Sequence, residues 1–428
     1  MKRRALGSAR GRALLFAMSI GAGLTLTALA CSESNNAPRE RFDAASPPGA
    51  SLPEASTGAE DDAATAPDVL APYDGAADPV VCDASPCVVR LVAGPSLYCG
   101  IIDDGTVRCW GDSTLLTPAI DADAGAEAGA DPGPGPVTIG GVADAVDLAI
   151  TASRACAVLA DGGVDCWDQS ATTPTRLADA PATKRLALGT DMSCAVATSG
   201  ELDCWGDSAI FGSRPRAIDL GGRKAVDVVV TDTAAFVLDE DGLLRSWGQS
   251  GLLLGRATSL MVDDVARAVT DLPKARSIAS SSAHACAATT DGRLFCWGAA
   301  GDAMLGLGYS RDEHYPVAVS FPPGDFPYQV SAEDSHSCAR STAGTIACWG
   351  GENPWGELGY ATKSAVYVPS KVAGLPPDVV AIAVGLSSSC ALAKDGAVWC
   401  WGDDRNGQLG QGHSDSARHW TPARVVLP

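Results

Sequence analysis

Cysteine and histidine are the residue types here whose reactivity could serve a function, and the 428-residue chain holds fifteen of the first and five of the second. Twelve cysteines form six pairs with nine residues between partners: Cys99 with Cys109, Cys156 with Cys166, Cys194 with Cys204, Cys286 with Cys296, Cys338 with Cys348 and Cys390 with Cys400. Such pairs are metal ligands or disulfides. Structural zinc normally takes short Cys-x2-4-Cys elements with four ligands converging, whereas each of these pairs sits in a different copy of a repeat. One copy has Phe236 and Ser246 in the two cysteine places. Coupled loss is expected of a covalent pair, because a widowed thiol is reactive. Disulfides are therefore expected, with Cys82 and Cys87 as a seventh bridge. Each small loop should add about 3 kcal/mol by the chain-entropy estimate.

The histidines offer less. His284 and His336 each lie two residues before a repeat cysteine, where a structural hydrogen bond is the ordinary role. His314, His413 and His419 fall in loops between strands. His413, Asp415, His419 and Trp420 are near enough in sequence to entertain a metal or ligand site, but a solvated loop is the preferred reading. The chain has no nucleophile elbow, P-loop, zinc-hydrolase helix or dinucleotide fingerprint. No catalytic residue, no metal and no cofactor is assigned.

The elements that position these residues follow from a repeat. Its motif is Cys, nine residues, Cys-Trp-Gly, and the seventh copy keeps Trp247-Gly248. The mean step from Cys109 to Cys400 is 48.5 residues. Six residues past the first cysteine place stands a glycine in every copy: Gly105, Gly162, Gly200, Gly242, Gly292, Gly344 and Gly396. A three-residue hairpin loop wants a left-handed residue in third place, which glycine adopts without steric cost. With that loop the two cysteines stand directly opposite, close enough for a disulfide. Aliphatic residues two before the second cysteine place (Val107 to Val398) share its face. Others eight before the first (Leu91 to Ile382) mark an upstream strand. Pro-x-x-aliphatic, from Pro136 with Ile139 to Pro422 with Val425, marks a fourth, although the copy near Leu260 lacks the proline. Four short strands per unit make a propeller blade.

The fold expected is thus an all-β, seven-bladed β-propeller over 86–428, closed in preference to an open superhelix. Pro422 to Val426 is expected to return and complete the first blade, whose own copy of that strand looks short near Pro86 to Val89. Such closure would protect sheet edges. A low-complexity insertion at about 112–136 carries Asp121-Ala-Asp123-Ala-Gly125, which begins like a calcium loop but lacks its later ligands.

Residues 1–30 read as a signal peptide, with five basic residues before an apolar stretch from Ala13 to Leu29. Ala28-Leu29-Ala30-Cys31 suits lipoprotein processing and lipid attachment at Cys31, although Ala-x-Ala also suits ordinary signal peptidase. Residues 31–85, rich in Ala, Pro and Asp, cannot bury enough apolar surface to fold and are expected to be a disordered tether. Without the five leader cations the chain keeps 26 Lys and Arg against 51 Asp and Glu, a net charge near −25. That surface repels phosphate backbones, so nucleic acid is not an expected partner.

With the Cys-Trp-Gly copies in view, the chain resembles the regulator of chromosome condensation repeat family. Ser389-Cys390-Ala391-Leu392, Asp395-Gly396-Ala397-Val398, Trp401-Gly402 and Asn406-Gly407-Gln408-Leu409-Gly410 follow its pattern closely, and Trp349-Gly350, Asn353 and Gly356-Glu357-Leu358-Gly359 nearly so. Asp168 replaces the glycine after Trp167, and copies two to four are short. The resemblance implies a seven-bladed propeller and no single activity. The expectation is a monomeric lipoprotein of a bacterial cell envelope, exported and membrane-bound through its lipid alone. It would bind a protein or envelope component on one face through variable loops at 208–218, 249–262, 302–315 and 360–367, without catalysis. The alternatives are an inhibitor of a secreted or periplasmic enzyme and an envelope glycan-active enzyme.

Overall fold

The computed structural model describes residues 79–116, 135–169, 173–178, 180–206, 215–249, 251–258 and 261–427. The leader, Cys31, most of the tether and the core of the low-complexity insertion lie outside the described residues. Seven four-stranded antiparallel sheets follow one another along the chain. They are blade 1 (88–138), blade 2 (145–176), blade 3 (183–217), blade 4 (225–268), blade 5 (275–319), blade 6 (327–371) and blade 7 (379–424). No helix among the described residues is long and apolar enough to cross a membrane.

Within each blade the sequence logic is visible strand by strand. In blade 7 these are Val379–Val384, Ser388–Ala393, Val398–Gly402 and His419–Arg424. The seven hairpin glycines all have φ between +77° and +91°, the left-handed region where a Cβ is costly. The turn they allow sets the two cysteine places directly opposite in register. Disulfides join Cys99 to Cys109, Cys156 to Cys166, Cys194 to Cys204, Cys286 to Cys296, Cys338 to Cys348 and Cys390 to Cys400, with Cα atoms 4.0–4.1 Å apart. Every one of these twelve sulfurs belongs to a buried residue. Cys82 and Cys87 form a further bridge at 5.8 Å. In the blade without the fourth-strand proline, Ala266 takes its place three residues before buried Val269.

The Trp-Gly dipeptide has two separate causes. The tryptophan is buried between consecutive blades, and four of its copies donate across the joint. Trp110 Nε1 donates to Gln408 O at 3.1 Å, Trp297 to Leu253 O at 2.7 Å, Trp349 to Met304 O at 3.0 Å and Trp401 to Glu357 O at 2.8 Å. The glycine must stay bare because a Cβ on Gly402 or its counterparts would strike the backbone carbonyl of the loop before the hairpin.

Ring closure differs from the expectation. The last strand pairs with Val398–Gly402 in its own blade, and the first blade has its own fourth strand, Val137–Thr138. Seven upstream strands, seven hairpins and seven outer strands were already complete, so nothing remained to exchange. Blades 7 and 1 join instead through a shared apolar cluster of Val88, Leu91, Trp110, Leu392 and Leu409. Backbone bonds add to it, from Leu386 N to Pro95 O (2.7 Å) and from Val88 N to Gly396 O (3.2 Å). Tyr98 Oη meets Ser388 Oγ at 3.0 Å and accepts from Gly385 N at 3.1 Å.

Candidate functional site

Antiparallel pairing puts the first-to-second and third-to-fourth strand connections of every blade on one face of the ring. The short connections of all seven blades meet around its central opening, from Gly94 in blade 1 to Leu386 in blade 7, and line a cavity of about 280 Å³. Asp232, Glu333 and Asp334 make this mouth acidic. Burial, with the neighbouring Asp334 and Asp232 charges, pushes the Glu333 carboxyl up to about 7. The longer connections surround the mouth. The four stretches expected to vary lie in them and run into the outer strands, with 208–214, 250 and 259–260 outside the described residues. In blades 5 to 7 these connections and outer strands present Tyr309, Tyr315, Tyr367 and Trp420 to solvent, each 37–45% exposed.

The paired cysteines take no part in this surface. Cys109, Cys166, Cys204, Cys296, Cys348 and Cys400 each stand one residue before the blade tryptophan or its glycine-bearing strand end, inside the sheet and bonded to their partners. An oxidised sulfur offers no thiolate, the form that attacks or ligates.

His284 and His336 are not on that surface either. Both are fully buried, and each spans the joint to the next blade: His284 Nε2 meets Ser337 Oγ at 2.7 Å, and His336 Nε2 meets Ser389 Oγ at 3.0 Å. Ser281 Oγ holds the other nitrogen of His284 at 2.9 Å. Burial lowers the two imidazoles to about 4 and about 3, so both are neutral at physiological pH. A Ser–His contact closed to substrate and based on so weak a base is a latch between blades. His314 is exposed on an outer strand.

The loop after the strand Val398–Gly402 brings a further residue to the group His413, Asp415 and His419. Asp404 is fully buried; its Oδ1 accepts from Leu409 N at 3.0 Å, and its Oδ2 lies 3.6 Å from His413 Nδ1. Asp415 joins them, with one ligand atom from each of the three within 4.8 Å of the others. His419 Nε2 touches Asp415 Oδ1 at 2.9 Å, and that hydrogen bond holds the Asp415 carboxyl below its ordinary value. Burial holds the Asp404 carboxyl above its own, against the Leu409 hydrogen bond and both histidines. Sequence reasoning placed His413, Asp415 and His419 together and missed Asp404. The available signal was alignment: Asp404 stands three residues before Gly407, where blade 6 has Asn353 three before Gly356. Trp420 does not join the cluster and contributes to the exposed aromatic rim.

Comparison with known proteins agrees with this architecture. The profile described as the Regulator of chromosome condensation (RCC1) repeat matches residues 275–302 and 379–408 in one form, and 291–340 and 395–428 in another. The chain is 27% identical over 213 residues to the ultraviolet-B receptor UVR8 of Arabidopsis thaliana, covering 49% of this chain and 48% of the receptor. It is 32% identical over 145 residues to the human E3 ubiquitin-protein ligase HERC2, which is 33% of this chain and 3% of the ligase. The match thus spans about half of one relative and a small part of the other. Among solved structures, human WBSCR16 superposes with a TM-score of 0.63 at 19% identity, covering 73% of this chain and 88% of that one. Prp20p of Saccharomyces cerevisiae superposes with a TM-score of 0.60 at 19% identity, covering 80% and 88%. These two likenesses speak to fold alone.

Proposed function

We propose, on the premise of the regulator of chromosome condensation repeats matched within 275–340 and 379–428, that the propeller is a protein-binding module displayed from a cell envelope and held there by a lipid on Cys31. The observation that carries the binding reading is the loop face. In blades 5 to 7 the long connections between third and fourth strands reach it, and Tyr309, Tyr315, Tyr367 and Trp420 stand exposed along one arc. Tyrosine and tryptophan are enriched at protein interfaces, because they add large contact area at little conformational cost. Prp20p, whose ring this one resembles, is described by its binding to Gsp1p and histones. This acidic chain would meet other partners, through its own loops. Seven disulfides among the described residues favour an oxidising compartment, which supports export.

Two measurements test the proposal. Intact mass of protein purified from membranes should lack residues 1–30 and carry an acyl mass on Cys31; an unacylated chain that retains them overturns the anchor. Cross-linking on intact cells should join one envelope protein to the loop face. That product should vanish in Tyr309→Ser combined with Trp420→Ser and persist when the hairpin face is changed. Equal yield from all variants overturns the binding face. An inhibitor of a secreted enzyme would use the same face, and loss of that enzyme's activity on adding the propeller identifies this case.

A further inference from the structure

Blades 6 and 7 share a turn that ends in Gly-x-Leu-Gly, and a single atom distinguishes its first residue. In blade 6, Asn353 Oδ1 accepts from Leu358 N at 3.0 Å, while its Nδ2 donates to Tyr360 O at 2.9 Å and Thr362 O at 2.8 Å. Both ends of the amide are satisfied. In blade 7, Asp404 Oδ1 repeats the first bond with Leu409 N. An acceptor, Oδ2, now stands where a donor stood, and it is buried with no hydrogen-bond partner. A buried carboxylate oxygen without a partner costs several kcal/mol unless a positive charge meets it.

Chain geometry brings other ligands to that oxygen. Asp415 N donates to Asp404 O at 3.1 Å, which folds the 405–414 segment back on the turn. His419 N bonds Trp355 O at 3.1 Å, tying the end of the segment to blade 6. The 3.6 Å from His413 Nδ1 to Asp404 Oδ2 is too long for a hydrogen bond. It is close to the edge of a tetrahedron, about 3.4 Å, drawn around an ion with metal–ligand bonds of about 2.1 Å.

We propose that Asp404 Oδ2, His413 Nδ1 and the Asp415 carboxylate bind a divalent transition-metal ion of the zinc class on the loop face of blade 7. Two carboxylates and an imidazole suit such ions better than the oxygen-seeking calcium or magnesium. Three protein ligands leave a fourth position open to solvent. His419 is a positioning residue, since its hydrogen bond orients the Asp415 carboxylate as an outer-shell partner does.

The test is zinc titration of the full, oxidised chain by calorimetry, after chelator treatment and with free thiols shown to be blocked, so that cysteine cannot report. One zinc per chain is expected. Asp404→Asn should fold normally, because Asn353 fills the equivalent place in blade 6, yet weaken zinc at least about tenfold. His413→Ala, a change at an exposed residue, should do the same, and His314→Ala should leave the affinity unchanged. Failure to bind zinc, or an affinity that Asp404→Asn and His413→Ala leave unaltered, overturns the site.

Discussion

Blade 4 and blade 7 are built on the same four strands but lock their central hairpins by different means. In blade 7 the lock is covalent, Cys390 to Cys400. In blade 4 the facing pair is Phe236 and Ser246. Phe236 fills the space as a fully buried ring, edge-on to Trp297 with centroids 6.1 Å apart. Ser246 starts a polar network: its hydroxyl donates to Leu254 O at 2.7 Å and accepts from Arg256 Nε at 3.1 Å, while Arg256 Nη2 donates to Ser246 O at 2.9 Å. Arg256 Nη1 then pairs with Asp263 Oδ2 at 2.8 Å, which staples the loop to the outer strand (Asp263–Ala268). The disulfide is one solution among others to holding that position; what cannot be left there is a lone thiol or an unpaired polar group.

The largest expected effect breaks the blade 4 lock. Arg256 and Asp263 are both within a few per cent of full burial, and removing one partner of a buried pair costs about 3–5 kcal/mol because the other charge is stranded. Asp263→Ala should lower unfolding free energy in urea by that amount, and adding Arg256→Met should recover part of it. A cost below about 1 kcal/mol would mean the network carries no weight. Cutting the blade 7 lock should cost somewhat less. Replacing Cys390 and Cys400 together with alanine removes a short-loop constraint worth about 3 kcal/mol on the chain-entropy estimate. The same pair of unfolding curves checks both, and reducing agent should destabilise the wild type while leaving the blade 4 contribution untouched.

The histidine latches extend the comparison to pH. They lie in the joints from blade 5 to 6 and from 6 to 7. Their folded values, about 4 and about 3, lie below the ordinary value of 6.5. The unfolded chain therefore takes up protons first. Stability from the latches is complete above pH 6.5 and is lost as pH falls toward 4, on the order of 1 kcal/mol for each histidine at pH 5.5. Glu333 and Glu357, held up at about 7 by burial, tilt the curve the other way: their contribution is present below pH 4.5 and lost as pH rises through 7. The clean readout is the difference between wild type and His284→Asn with His336→Asn. That difference should shrink on acidification, and a difference independent of pH would contradict the latch.

Blade number, hairpin register and cysteine pairing were legible because each rests on a local rule: a left-handed glycine, a two-residue side-chain period and partners ten apart. The ring closure was misread because Pro422 to Val426 was taken as surplus, when Val137–Thr138 already supplied blade 1 with its fourth strand. Counting strands from the upstream aliphatic residue, Leu91, gives seven full sets. The candidate site was half legible. His413, Asp415 and His419 announce themselves by type, whereas Asp404 looks like one more surface aspartate until the turn buries it. The use of Gly-x-Leu-Gly was also invisible, because its carbonyls serve a tryptophan some forty-five residues later, Glu357 O for Trp401.

That last contact allows the finest comparison between joints. Trp401 and Trp167 are almost equally buried, at 0% and 1% exposure. Trp401 Nε1 donates to Glu357 O, whereas Trp167 Nε1 has no hydrogen-bond partner among the described residues. Exchanging either for phenylalanine removes the same volume, so the apolar and cavity costs should nearly cancel between the two variants. What remains is the hydrogen bond lost from Trp401, worth about 1 kcal/mol net, and the unpaired donor removed from Trp167, which acts in the same direction. Loss of the donor also leaves no bare acceptor, since Ser389 Oγ still donates to Glu357 O at 3.0 Å. Trp401→Phe should therefore be less stable than Trp167→Phe by at least about 1 kcal/mol in urea. Equal values would mean that the regular joints owe their order to packing alone.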